Sequence, residues 1–279
     1  MAFAVVFALV SVFLWGICDL VTKYSLDHDS KWRVIFLGQI FGGLIVLCAA
    51  VFFGEAGKWL EFLPWIIALG AINLVGMLTF YSAMKAKGVA LTSSVVNAYP
   101  FITLGLGLFF FGEKVAIHQI LASALILTGV LAITFKKGQK IRFDKSFLFA
   151  LASMAVWGVL FFLLKIPVSI AGALLITAGL KIATPIASLP VFFIKKISLF
   201  EKKTRLMLLI ALVGLLDSLA LLGYNLAIKD APVALIAPIA GAVPAVSVIL
   251  AVLILKEKIS IRQTLGVLAI ITGIAILTV

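Results

Sequence analysis

Residues 85–114 read KAKGVALTSSVVNAYPFITLGLGLFFFGEK, and residues 229–258 read KDAPVALIAPIAGAVPAVSVILAVLILKEK. Both stretches carry Val-Ala-Leu (89–91 and 233–235), then a proline (Pro100 and Pro244), then Glu-Lys (113–114 and 257–258). Extended to Phe135 and Val279, the two copies share 16 identities in 51 positions, where apolar composition alone gives roughly one in ten. Upstream, Trp15-Gly16 followed by Lys23 returns as Trp157-Gly158 followed by Lys165. The chain therefore reads as one unit used twice, with the copies expected at residues 1–138 and 139–279.

The composition says what the unit is made of. Of 279 residues 64% are apolar and 12% charged, and the mean hydropathy is +1.29. Soluble domains carry about a quarter charged residues, so lipid must solvate most of this chain. Apolar runs ended by charge or proline fall at 2–26, 31–53, 62–86, 89–111, 116–135, 146–165, 169–194, 205–229, 232–255 and 259–279. Each is about the length of a membrane-spanning helix, and twice that of an alternating barrel strand. The first run lacks a basic leader and carries the repeated Trp15, Asp19 and Lys23, so it is expected to be a span and not a cleaved signal. The fold expected is an all-α integral membrane bundle of ten transmembrane helices around a central cavity. Five spans per copy is an odd number, so the second copy enters the membrane in the opposite sense. Inverted repeats of this kind are the usual build of secondary transporters, which exchange outward-open and inward-open shapes by alternating access.

Charge placement sets the expected orientation. Of 23 Lys and Arg, seventeen fall in connections on the side opposite the N-terminus, three on the N-terminal side, and three inside spans. Positive loops stay cytoplasmic, which puts both termini outside a cell (inner) membrane. The same placement in short connections argues against a nucleic-acid partner despite a net charge of +12. Cys18 and Cys48 lie in apolar runs, and His28 and His118 in connections, with no metal-type spacing and no hydrolase or nucleotide-binding motif. No metal, no cofactor and no enzymatic activity are expected, and transport would run on a gradient.

Ser11 with Trp15-Gly16 and Ser153 with Trp157-Gly158, the Val-Ala-Leu openings, the central prolines, and Glu-Lys followed by a span ending in Thr-Gly resemble the drug/metabolite transporter superfamily, in its EamA-type ten-helix branch. The resemblance covers the whole chain. It implies export or exchange of small metabolites, often amino acids or toxic compounds and often coupled to protons. Ten-span members usually keep both termini in the cytoplasm, opposite to the placement given by the charge count.

Polar groups inside spans are costly in hydrocarbon and point to a bundle interior or wet cavity. Asp217 sits mid-span in the eighth run and Lys181 mid-span in the seventh. Asp217 is read either as a proton or ammonium site or as an ion pair with Lys181 that locks two helices. Its repeat mate is Asn73. Asp217 is followed by Tyr224 and Asn225 at helical spacing, and Asn73 by Tyr81, which gives two polar stripes that would face each other. Asp19 is a second coupling candidate, against the favoured reading that it pairs with Lys23 four residues on. Lys165 is read as snorkelling. Trp15 and Trp157 are read either as an aromatic wall for solute or as packed tryptophans beside glycine. Pro100 and Pro244 break their helices and free the carbonyls of Val96 and Ala240, with Ser93, Asn97 and Tyr99 near the first and Pro238, Gly241 and Ser247 near the second. Gly38 and Gly42 are read as a close-packing or dimer face.

The partners expected are a small-molecule solute, membrane lipid and protons, with the chain monomeric or a homodimer. A cavity with aromatic walls and few charges favours zwitterionic or amphipathic solutes over phosphorylated ones, which call for clustered Lys and Arg. A channel or uncoupled facilitator, and a membrane-embedded enzyme, are the alternatives.

Overall fold

The computed structural model describes residues 1–87, 89–134, 144–198, 204–253 and 260–277. The first half contains α1 (Ala2–His28), α2 (Lys31–Phe52), α3 (Leu63–Lys87), α4 (Val89–Val96), α5 (Pro100–Phe110) and α6 (Ile117–Thr134). The second contains α7 (Lys145–Leu163), α8 (Lys165–Ala171), α9 (Ala173–Lys195), α10 (Thr204–Lys229), α11 (Val233–Ala240), α12 (Val243–Leu253) and α13 (Ile261–Leu277). These make ten spans among the described residues, three of them built from two helices each: α4 with α5, α7 with α8, and α11 with α12. The described residues contain no strand.

The sixth span overruns its expected end at 165. Pro167 is the third residue of α8, inside the first turn, where a missing N–H breaks no helical bond, so the chain stays helical to Ala171. It turns at Gly172, whose φ of 99° is open to glycine and strained for other residues. Across that turn a carboxylate oxygen of Glu55 accepts from the N–H of Leu174 at 3.0 Å, capping α9.

The fourth and ninth spans break at mid-depth. Residues 97–99 form a tight turn and Pro100 opens α5, where its fixed φ suits the first helical position. The carbonyl of Val96 is not released, because the N–H of Tyr99 takes it at 3.0 Å. A shorter i→i+3 bond thus replaces the i→i+4 bond that proline removes. In the ninth span Gly241 and Ala242 separate α11 from α12. The two breaks touch, since a Cβ on Gly241 would strike the Pro100 ring and the Asn97 carbonyl.

The helices pair chiefly across the halves: α1 on α10, α2 on α9, α3 on α7 and α9, α5 on α11, and α6 on α13. Small residues set the closest crossings, as expected where lipid supplies no hydrophobic drive between helices and packing must do so. Gly38 and Gly42 of α2 lie on Gly214 and Ser218 of α10, and Gly129 of α6 on Gly266 of α13. The Gly38/Gly42 face is therefore used inside the chain. Large apolar side chains such as Phe3, Phe52, Phe109 and Phe193 point outward, as a lipid-facing surface requires.

Candidate functional site

A cavity lies between the halves at the depth of the broken spans, with Trp15, Asp19, Asn73, Tyr81, Asn97, Trp157, Lys181 and Asp217 among its lining residues. Asp217 is held from three other helices. The Lys181 ammonium of α9 lies 2.5 Å from Oδ2, the Gln39 amide of α2 donates to Oδ2 at 2.8 Å, and the Trp15 indole of α1 donates to Oδ1 at 3.1 Å. Lys181 is 2% exposed. A lysine so deeply buried is stable only with its counter-charge and with donors that satisfy that carboxylate, which is the arrangement present. Gln39 escaped the sequence reading. Its signal was there, as a lone amide in the middle of the second span, but the glycines at 38 and 42 made that stretch read as packing alone.

Asp19 is not paired with Lys23. That lysine reaches one turn further, to Asp27 at 2.6 Å. Asp19 is buried and accepts from the Ser93 hydroxyl at 2.6 Å. Asn97 donates to the Ser93 hydroxyl at 2.9 Å and to its carbonyl at 2.7 Å, so a donor chain runs from the break of the fourth span to Asp19. Among the described residues no cation lies within ion-pair distance of Asp19.

The two polar stripes do not face each other. Tyr224 is buried behind Phe161, donates to its carbonyl at 3.3 Å and does not line the cavity. Asn225 turns to Thr177 of α9 at 2.8 Å. Asn73 does line the cavity, its amide anchored on Thr184 at 3.0 Å, and Tyr81 lines it as well. Tyr99 stacks on Phe161 and Trp15 and Tyr224 meet it edge-on, with ring centroids 4.6, 5.6 and 4.7 Å away, and together they form a plug of rings at one end of the cavity. Trp157 makes the opposite wall, against Phe80 and over Gly76. Pro100 and Pro244 do not line the cavity; their neighbours Asn97, Tyr99 and Val243 do. The side chain of Ser247 lies outside the described residues.

Beyond the plug, on the side of the N-terminus, two charged groups clamp the connection between α10 and α11. Lys165 does not snorkel: its ammonium donates to the carbonyls of Ile228 and Ala231 at 2.5 and 2.9 Å, at the end of α10. Glu113 accepts from the N–H groups of Val233 and Ala234 at 2.7 and 2.8 Å, at the start of α11. Each charge meets the helix end of opposite polarity. The repeat mate of Lys165 is Lys23, which pairs with Asp27; Glu257, the repeat mate of Glu113, lies outside the described residues.

Comparison with known proteins gives a match to the model of the EamA-like transporter family over residues 2–135 and again over 144–279. An uncharacterized transporter of Archaeoglobus fulgidus is 30% identical over 132 residues, 47% of each chain. A probable amino-acid metabolite efflux pump of Salmonella typhimurium is 30% identical over 156 residues, 54% of this chain and 49% of that one. The chain thus spans about half the length of the curated relatives it matches. A crystal structure described only as that of a protein superposes with a TM-score of 0.81 at 19% identity, over 99% of this chain and 96% of the other. That likeness concerns the fold.

Proposed function

The chain belongs to the EamA-like transporter family, and from that premise we propose that it is a secondary transporter that moves a small organic metabolite by alternating access between its inverted halves. The observation that carries this reading is the cavity between the halves, which holds one compensated buried ion pair and one further carboxylate, Asp19, without a cationic partner among the described residues. Asp217, bound on both oxygens, is the hub that ties α1, α2, α9 and α10 together. Asp19 is the group that exchanges a proton or meets the ammonium of the solute, with Ser93 and Asn97 keeping it oriented. Trp15, Trp157 and Tyr81 wall the space and Asn73 supplies a fixed amide dipole, which suits amino acids and amphipathic amines. That one relative is named an amino-acid metabolite efflux pump supports the same class, and export or exchange is the direction proposed.

In this reading the Lys165–Glu113 clamp closes the side of the N-terminus. The charge count makes it the outer side. The test is solute-dependent proton movement in proteoliposomes across a panel of amino acids and amphipathic amines. Asp19→Asn is expected to retain solute exchange while losing proton movement. Proton movement that survives in Asp19→Asn and disappears in a folded Asp217→Asn would return the coupling role to Asp217. Transport without saturation would favour a channel.

A further inference from the structure

At the end of the bundle away from the Lys165–Glu113 clamp, lysines of two helices line one concavity and a lysine of a third helix stands over the Trp32 ring beside it. Lys31 opens α2, Lys85 lies in the last turn of α3, and Lys195 ends α9. The concavity is lined by Ser30, Lys31, Trp32, Ser82 and Lys85. The Lys31 ammonium donates to the Ser82 hydroxyl at 2.6 Å, and the ammonium of Lys195 sits 5.6 Å from the centre of the Trp32 ring. Lys195 and Lys85, both of its own sign, act on Lys31. Among the described residues no carboxylate forms an ion pair with any of the three. The nearby Asp29 is bound to Arg33 at 2.6 Å.

Lys85 and Lys195 stand at helix C-termini, where a cation is favoured without any ligand. Lys31 stands at the opposite, electropositive end of α2, so the helix dipole does not account for it. Two like charges beside it make the site electropositive, a setting that a bound anion offsets. The surroundings select the kind of anion. Phe193 and Ile194, next to Lys195, are about four-fifths exposed on the outer surface, and Trp32 is an indole at the end of a membrane-spanning helix, the depth at which tryptophan meets headgroups. A ligand here has its charge in the concavity and apolar chains running down the outside of α9.

We propose that Lys31, Lys85 and Lys195, with Ser82 and Trp32, bind the phosphate headgroup of an anionic phospholipid between the ends of α2, α3 and α9. The lipid bridges one helix of the first half, α2, to one of the second, α9, which pack on each other and carry Gln39 and Lys181 to the Asp217 hub. Bound lipid therefore neutralises charge at an end of the bundle remote from the solute cavity.

The experiment uses the full-length protein in vesicles of phosphatidylcholine containing a minor fraction of acyl-brominated phosphatidylglycerol, or the same fraction of brominated phosphatidylcholine. Bromine quenches nearby indoles, and the share of Trp32 is the difference between wild type and Trp32→Phe. The expected result is several-fold stronger quenching of Trp32 by the anionic lipid, weakened by added salt and unmoved by millimolar inorganic phosphate. In the triple variant K31Q/K85Q/K195Q quenching falls to the phosphatidylcholine level. Equal quenching by both lipids in wild type overturns the proposal without recourse to any variant. Displacement of the lipid by inorganic phosphate also overturns it and makes the concavity a site for free phosphate.

Discussion

Lys23 has an aspartate four residues before it and another four residues after it. Helical spacing alone cannot choose between Asp19 and Asp27, and the isolated-helix preference for an acid N-terminal to the lysine points to the wrong one. The choice is made by Ser93, which binds Asp19 and draws it inward, so Lys23 takes Asp27. At this scale the sequence made charged groups legible as interior, because lipid forbids them elsewhere, and left their partners unread. For the Asp217 hub the partners decide the outcome of mutation. Asp217→Asn leaves the Lys181 ammonium buried without a counter-charge and is expected to cost about 3–5 kcal/mol. Thermal unfolding in detergent measures it. The double variant Asp217→Leu with Lys181→Met, which removes both charges, is expected to regain most of that stability. If the single and double variants unfold alike, the hub is not held by the pair.

At the scale of elements, ten spans were readable because hydrocarbon thickness fixes the length of an apolar run. The breaks at Pro100 and Pro244 were readable because proline cannot donate. What stayed hidden was the carbonyl bookkeeping at Val96 and the extension through Pro167, both settled by local turns that a hydropathy pattern does not encode. Crossings of helices yield sharper expectations. A side chain at Gly214 would enter the backbone of Gly38, so Gly214→Leu is expected to lower stability by about 1–3 kcal/mol or more. At Gly105, on the outer surface of α5, an added Cβ meets open space. Gly105→Ala is therefore expected to raise stability by about 0.5–1 kcal/mol, since alanine is the better helix former. An unfolding midpoint for Gly214→Leu that does not fall would show that the crossing of α2 and α10 is looser than described. The Lys165 clamp gives a separate expectation. Lys165→Gln weakens the hold on the end of α10, and a cysteine placed at Ala231 is expected to react faster with a membrane-impermeant thiol reagent in that background. Unchanged labelling would remove the clamp from any role in closure.

For the molecule as a whole, the repeat was legible from Val-Ala-Leu, the paired prolines and Glu-Lys, and the odd number of spans per copy gave its inversion. The sequence did not indicate that nearly every main helix pairing crosses from one half to the other. The halves are repeats by descent of pattern, yet each leaves its packing faces open without the other. Fragments 1–138 and 139–279, expressed separately, are expected to be degraded or to aggregate in the membrane, and to co-purify and restore activity when expressed together. A stable, well-dispersed single fragment would contradict this. The pairing of α6 with α13 carries the point further. Gly129 in the fifth span packs on Gly266 in the last, so the close-packing face of α6 waits for the final helix of the chain. During synthesis, five further spans, the covering one included, must enter the membrane before that face is covered. Insertion and folding are thus separated in time, and a ribosome that stalls before α13 leaves a glycine face in lipid that membrane proteases and chaperones can recognise as unfinished.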